Sequence, residues 1–285
     1  MKNTPEPGVY RRISHEEYWT WPAANHSSLR KMDQSPAHAH HAWTLGGPES
    51  TALRLGDATH AAVLEPDRFD AQYFQGPTKE DGSPHRRGTN AWNEALEANE
   101  GKTALKPDEY QAAITMSQRI RAHSIAGPIL KHANEIGGNE VSYVWRDGET
   151  GVLCKARTDV YSRYLNYSCL ADLKSTGNAS EWAFGKSCAD YGYHTQARFY
   201  LDGLQALAPS DRRFLFLAVE KTAPWGIRVH ELGPNEMEVA AIKLRSWLRQ
   251  WATCLEKDSW PGYPTTIGMP VMPKYAMDWG DFDDE

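Results

Sequence analysis

Two short stretches of this chain carry residue types that could work together on a phosphate ester. Lys155-Ala156-Arg157-Thr158-Asp159 lies in a stretch of alternating character, and Asp172-Leu173-Lys174 lies in a second one shortly after it. Side chains two residues apart on a β-strand share a face. Asp172 and Lys174 therefore project side by side, roughly 7 Å apart along the strand, together with Leu170. On the earlier strand Leu153, Lys155, Arg157, Asp159 and Tyr161 form one face, against Val152, Cys154, Ala156, Thr158 and Val160 on the other. If the two strands pair, Asp159 can meet Asp172. Carboxylates converging on one point repel, and a divalent cation relieves them. Mg²⁺ suits hard oxygen ligands and keeps positions free for water and phosphate. A neighbouring lysine can then orient or deprotonate a water and offset charge building on the phosphate. This is an arrangement for phosphodiester hydrolysis, although a bare Asp-x-Lys is more often a surface ion pair.

Further residues add weight to the chemical reading. His60 sits in Gly56-Asp57-Ala58-Thr59-His60-Ala61-Ala62, a run of small residues that lets a helix approach a sheet closely, and shares a helical face with Gly56 and Leu64. It is either a satisfied core histidine or a metal ligand. Gln196 and Tyr200 stand four apart on one helical face, with Tyr193 about a turn earlier; this is a site wall or an amphipathic stripe using Tyr as core mass.

The elements that must carry these residues follow from periodicity. Helices are expected from Ser27-Ser28 into Leu29-Arg30-Lys31-Met32, with Asn25 as the alternative cap, over Thr51–Leu64, and from Pro107 to about Ser124. Residues 75–103, polar and rich in Gly and Pro, read as a long surface loop. Strands are expected over Glu140–Trp145 and Val152–Tyr161, joined near Asp147-Gly148-Glu149, and over Leu170–Ser175. A long helix over about Ser180–Leu207, strands over Phe214–Glu220 and Ile227–Leu232, and a helix from Pro234 to about Lys257 complete the set. The order of elements predicts an α/β protein with a mixed central sheet flanked by helices. One domain over 1–285 is expected, with an irregular N-terminal segment and an acidic tail over about 259–285.

Composition narrows the classes. With 285 residues, 40% hydrophobic and 24% charged, the chain has ample length for a buried core. No apolar run reaches the roughly eighteen residues of a membrane span, and Met1-Lys2-Asn3-Thr4-Pro5-Glu6-Pro7 lacks the apolar stretch of a secretion signal. A cytoplasmic protein without membrane partners is expected. The net charge of −6 excludes a protein basic all over, but not a basic groove on an acidic body. The four cysteines, Cys154, Cys169, Cys188 and Cys254, form no CxxC pair and suggest reduced thiols.

The order His60, Asp159, Asp172-Leu173-Lys174, Gln196-x-x-x-Tyr200 resembles the RecB-like branch of the PD-(D/E)xK nuclease superfamily, and within it the RecE-type exonucleases (exonuclease VIII). Gly56–Pro66, Lys155–Asp159, Asp172–Thr176 and Tyr191–Tyr200 carry the likeness, with Ser27-Ser28-Leu29-Arg30 and Ser35-Pro36-Ala37 ahead of them. It runs from about residue 8 to residue 205 and corresponds to the C-terminal nuclease part of exonuclease VIII. The resemblance implies a Mg²⁺-dependent enzyme, with Mn²⁺ as the alternative, that degrades linear double-stranded DNA from the 5′ end and leaves 3′ single-stranded overhangs. It also implies a ring-shaped homo-oligomer of three or four copies around DNA ends, and a single-strand annealing protein of the RecT or Bet kind as partner in phage-type recombination. His60, Asp159 and Asp172 would be metal ligands, with the Leu173 carbonyl as a fourth, and Lys174 would position or activate the water. Gln196 and Tyr200 would support the site and touch the DNA backbone. Glu140 stands where related nucleases have an acidic residue ahead of the strand bearing the first Asp.

Some RecB-like relatives carry a four-cysteine iron–sulfur cluster; the scattered cysteines here lack its spacing, so none is expected. DNA contacts are expected from Ser28, through backbone N–H groups at a helix start or as a cap only, and from Tyr193, Lys155, Arg157, Lys186, Arg198 and Arg86-Arg87. The acidic end after Asp278 reads as a solvated tail or a partner-binding segment. Two other readings remain: a nuclease of this superfamily acting on single strands or as an endonuclease, and a non-catalytic DNA-end-binding protein.

Overall fold

The computed structural model describes residues 4–45 and 51–272. The chain opens with β1 (Gly8–Tyr10), α1 (His15–Thr20), α2 (His26–Leu29), a 3-10 turn (Arg30–Asp33) and α3 (Pro36–Leu45). There follow α4 (Thr51–Leu64), α5 (Pro66–Gln72), β2 (Tyr73–Gln75), α6 (Asn90–Ala98), β3 (Thr103–Leu105), α7 (Pro107–Ala122) and α8 (Ala126–Ile136). The sheet-forming part comprises β4 (Asn139–Arg146), β5 (Leu153–Tyr164), β6 (Tyr167–Thr176), α9 (Glu181–Tyr191), α10 (Tyr193–Leu207), β7 (Arg212–Glu220), β8 (Ile227–Glu231) and α11 (Pro234–Lys257).

Six strands form one mixed sheet in the order β1-β4-β5-β6-β7-β8. All neighbours are antiparallel except β6 and β7, which run parallel and so need the crossover that α9 and α10 provide. A short parallel pair, β2 and β3, stands apart. One face of the sheet packs on residues of α2, α3, α10 and α11, with Phe199, Leu244, Leu248 and Trp251 at its centre. The other packs on α4, α7 and α8 through Val63, Met116, Ile120, Ile129 and Leu130. The expected mixed α/β sheet with helices on both faces is what the chain forms.

Several boundaries depart from the sequence reading. Within residues 75–103 the chain forms α6 and begins β3; α6 is anchored by the single buried Trp92, too little apolar pattern to stand out in a polar segment. The helix α8, which the periodicity reading omitted, buries Ala126, Ile129, Leu130 and Ala133, with Pro128 tolerated in its first turn. The expected helix over 180–207 is two helices, because Gly192 between them takes a left-handed conformation (φ +70°). A Cβ at that position would stand 2.9 Å from the Arg30 side chain. At the N-terminus Asn25, not Ser27 or Ser28, caps α2: its Oδ1 accepts from the Ser28 N–H at 2.8 Å.

The strand alternation also slips once. Cys154, Ala156 and Tyr161 pack in one core, whereas Val160 packs in the other, so the alternation shifts between Ala156 and Val160 and the expected face from Leu153 to Tyr161 is not continuous. Opposite Asp159 in the β4–β5 register stands Glu140, whose φ of +52° marks a local distortion of the ladder. At the same level β5 and β6 part. Their paired register ends at Val160↔Ala171; beyond it β5 stays with β4, and Asp172–Thr176 pairs with Phe216–Glu220 of β7.

The C-terminal segment is packed as far as Tyr263. Trp260 lies against His40, Trp43 and Trp251, and the Pro261 carbonyl accepts from the Ala37 N–H. The acidic residues from Asp278 onward, and the role expected for them, lie outside the described residues.

Candidate active site

The fork between β5 and β6 is where the polar residues meet. Where the backbone ladder stops, the Asp159 side chain takes its place: Oδ2 accepts the Leu173 N–H at 2.8 Å. His60, delivered by α4, spans the fork. Its Nε2 bonds the Leu173 carbonyl at 2.8 Å and its Nδ1 lies 3.5 Å from Asp159 Oδ2. The small residues around it make this possible, since Ala58, Thr59, Ala61 and Ala62 are all buried. Glu140 completes the group: ligand atoms of His60, Glu140 and Asp159 all lie within 4.8 Å of one another. The positive φ of Glu140 places a third donor where the sequence offered it only by resemblance.

Asp172 takes another position. Its Oδ1 accepts from Gln196 Nε2 at 2.7 Å, and its Oδ2 lies 2.5 Å from the Lys174 ammonium. The structure thus brings His60, Asp159, the Leu173 carbonyl and Glu140 together as one set. Beside them stands a second set, Asp172, Lys174 and Gln196. The Tyr193 ring lies 4.6 Å from Lys174 Nζ, so this tyrosine reaches the lysine of the Asp172–Lys174 pair. Tyr200 is half-buried and lines the same cavity as His60 and Asp159.

Burial and mutual repulsion make Glu140 and Asp159 hold their protons to higher pH than ordinary carboxylates. Desolvation, then the Asp159 charge, pushes Glu140 up to about 7; desolvation, then the Asp172 charge, pushes Asp159 up to about 6. Burial alone would lower the Lys174 pKa, but Asp172 and Asp159 outweigh it and hold it above the ordinary lysine value. Lys174 is therefore an ammonium at neutral pH in this arrangement. Two features fit a divalent cation: the hard-oxygen and imidazole donor set of His60, Glu140 and Asp159, and the carboxylates raised by crowding.

The cavity in front of the cluster measures about 390 Å³ and includes His15, Trp19, Asp57, Arg68 and Tyr73, none of which the sequence reading singled out as site residues. Asp57 could have been found, because it precedes His60 by three residues on one helix and so shares its face. For His15 and Trp19 the local sequence held no signal.

Four expected DNA contacts are placed elsewhere. Lys155 is 2% exposed and donates to the Tyr18 and Trp21 carbonyls at 2.8 and 2.9 Å, so it ties the N-terminal segment to the sheet and is not available to a ligand. Ser28 is 1% exposed and its N–H is taken by the Asn25 cap, which closes the phosphate-binding option there. Arg198 pairs with Asp202 and lines a different cavity with Arg212. Lys186 pairs with Asp190 on the exposed side of α9. Arg157 does line the candidate cavity, held by the Ser142 hydroxyl and the Ile13 carbonyl with Glu140 at 4.0 Å. In the polar segment Arg87 lies over the Trp92 ring.

A forked mixed sheet, with an acidic residue at the opening and Asp-x-Lys on the next strand, defines the PD-(D/E)xK class of nuclease folds. The chain belongs to a family of that class: the model of the PDDEXK-like domain of unknown function DUF3799 matches residues 25–268. Among solved structures it is similar to a candidate exonuclease from Eubacterium rectale, with a TM-score of 0.58 at 12% identity over 95% of this chain and all of that one. At that identity the likeness shows the shared fold. The structure of SSO0001 aligns more weakly, with a TM-score of 0.27 at 16% identity over 51% of this chain and 66% of that one. No curated protein matches the chain. Among the described residues no helix is long and apolar enough to cross a membrane.

Proposed function

We propose that this protein is a divalent-metal-dependent exonuclease that hydrolyses linear double-stranded DNA from its 5′ ends and leaves 3′ overhangs. The observation that carries the reading is the fork itself, which sets His60, Glu140 and Asp159 within 4.8 Å of one another beside the Asp172–Lys174 pair. His60, Glu140, Asp159 and the Leu173 carbonyl would hold Mg²⁺, or Mn²⁺ in its place, with the Asp172 carboxylate behind them. A bound divalent cation there would acidify a water and neutralise phosphate oxygens.

The chain's own residues do the rest. Lys174, kept protonated by two carboxylates, orients the attacking water and faces the charge that builds on the phosphate. Gln196 fixes Asp172, and through it the lysine. Tyr193 supports the ammonium from below, and Arg157 supplies a fixed positive charge at the cavity wall.

Digestion of linear duplex labelled separately at its 5′ and 3′ ends, with Mg²⁺ and with EDTA, tests this directly. The expected result is early, EDTA-sensitive release of the 5′ label and no cutting of a covalently closed circle. Cutting of the circle would overturn the exonuclease reading; earlier loss of the 3′ label would keep the nuclease and overturn the 5′ polarity. The resemblance to RecE-type enzymes supports two extensions, a ring of three or four copies and transfer of the overhang to a single-strand annealing protein. Light scattering on the purified chain, and a binding assay with such a protein, test them.

A further inference from the structure

The cavity has an unlike second wall. Facing the fork, α1 contributes His15, Tyr18 and Trp19. Tyr18 and Trp21 are spent on anchoring the segment: both are buried with Val144, and Tyr18 lies under the Lys155 and Arg157 cations. Trp19, between them, is left 47% exposed. Its orientation is nevertheless fixed. Its indole N–H donates to His15 Nε2 at 3.3 Å, the His15 and Tyr18 rings meet it edge-on, and the Lys155 ammonium lies 5.5 Å from its centroid.

We infer that Trp19 is a nucleobase-stacking residue, its open face taking the unpaired base of the nucleotide that adjoins the scissile phosphate. This rests on the nucleic-acid reading above and deepens it. Two observations point to a base as the occupant. The ring is oriented by its His15 and Tyr18 contacts but left uncovered, and it lines the same cavity as His60, Glu140 and Asp159, where a phosphate would have to enter. A π-face accepts any base, so stacking supports digestion without sequence preference. A stacked base must first leave its partner strand, so a duplex end has to open by at least one pair before cleavage.

The test is a 5′-terminal 2-aminopurine duplex bound by the full chain with Ca²⁺ in place of Mg²⁺, so that the readout is independent of turnover. Wild type should change the 2-aminopurine fluorescence on binding; Trp19→Ala should leave it unchanged, and Trp19→Phe should restore most of the change. In Mg²⁺, Trp19→Ala should lower kcat/KM by about 5- to 150-fold, the span of base–aromatic stacking energies. An abasic nucleotide at the same position should cost wild type a similar factor and the alanine variant nothing further. Independent, multiplying losses, or an unchanged 2-aminopurine signal between wild type and Trp19→Ala, would overturn the inference. So would a change of oligomeric state in Trp19→Ala, which would assign the ring to an interface between copies. If no DNA is cut at all while the Trp19-dependent signal persists, the exonuclease reading fails and the stacking site stands.

Discussion

Two lysines on neighbouring strands show how differently one residue type can be used in this fold. Lys155, on β5, is buried beneath the N-terminal segment, where its ammonium meets neutral carbonyls and aromatic rings. Lys174, on β6, sits at the fork among carboxylates. The first arrangement joins distant pieces of chain and leaves nothing for a substrate. The second concentrates like charges beside a cavity, which costs stability and is of use only when phosphate or a cation arrives. Burial alone therefore does not distinguish a structural lysine from a working one; the chemistry of its acceptors does.

The sharpest way to break the comparison is to remove the charges at the fork. Asp159→Asn and Lys174→Gln should each lower nuclease turnover by at least about 100-fold. Asp159→Asn should also raise the metal-free melting temperature at pH 8 by about 2–4 °C, since it removes a crowded buried charge while keeping an acceptor for the Leu173 N–H. Equal melting temperatures, or full activity in either variant, would refute the assignment of the fork as the working site.

The complementary change is Lys155→Met. It strands two carbonyl acceptors and should destabilise the fold by about 2 kcal/mol in urea unfolding, with turnover of the folded protein unchanged. A variant as stable as wild type but unable to cut DNA would reverse the roles drawn here.

Cation binding sharpens the contrast at the fork. At pH 8 saturating Mn²⁺ should raise stability by about 3 kcal/mol at a concentration near a hundred times its dissociation constant, and not at all in Asp159→Asn. The pH dependence follows from the raised carboxylates. Their folded pKa values, about 7 for Glu140 and about 6 for Asp159, exceed the unfolded ones, so the native state holds extra protons between about pH 4 and 7. Their contribution to metal-free stability is complete below the unfolded values and is lost as pH rises through 6 and 7. The Mn²⁺-induced shift should accordingly shrink at pH 5.5, where protons compete for the same oxygens; a shift independent of pH would place the ion elsewhere. The smallest effect belongs to Arg198→Ala, which should change DNA affinity and turnover by less than about 2-fold, because an exposed i,i+4 pair contributes little. A larger loss in a salt-dependent binding assay would return Arg198 to the DNA path.

Much of the site was legible because it depends on local periodicity. Asp172 and Lys174 share a face by strand alternation, and Gln196 and Tyr200 by helical spacing. His60 lay in a run of small residues suited to close packing. The central sheet and the long helices α4, α7 and α11 were likewise set by apolar spacing that needs no distant partner. What could not be read depends on what covers what. The same alternation that placed Asp159 also put Lys155 beside it as a DNA contact, and only the N-terminal segment folding across β5 removed it. Ser28 and Arg198 were misplaced for the same reason, one used up by a cap three residues away, the other turned toward Asp202.

The sequence by itself determined which residues could do metal-assisted phosphate chemistry and which strands and helices would carry them. The tertiary structure decided which of them meet. The parting of β5 from β6, the left-handed turn at Glu140 and the aromatic wall from α1 arise where segments distant in the chain compete for the same hydrogen bonds and the same surface. Such competition is settled by packing, and short-range patterns do not encode its outcome.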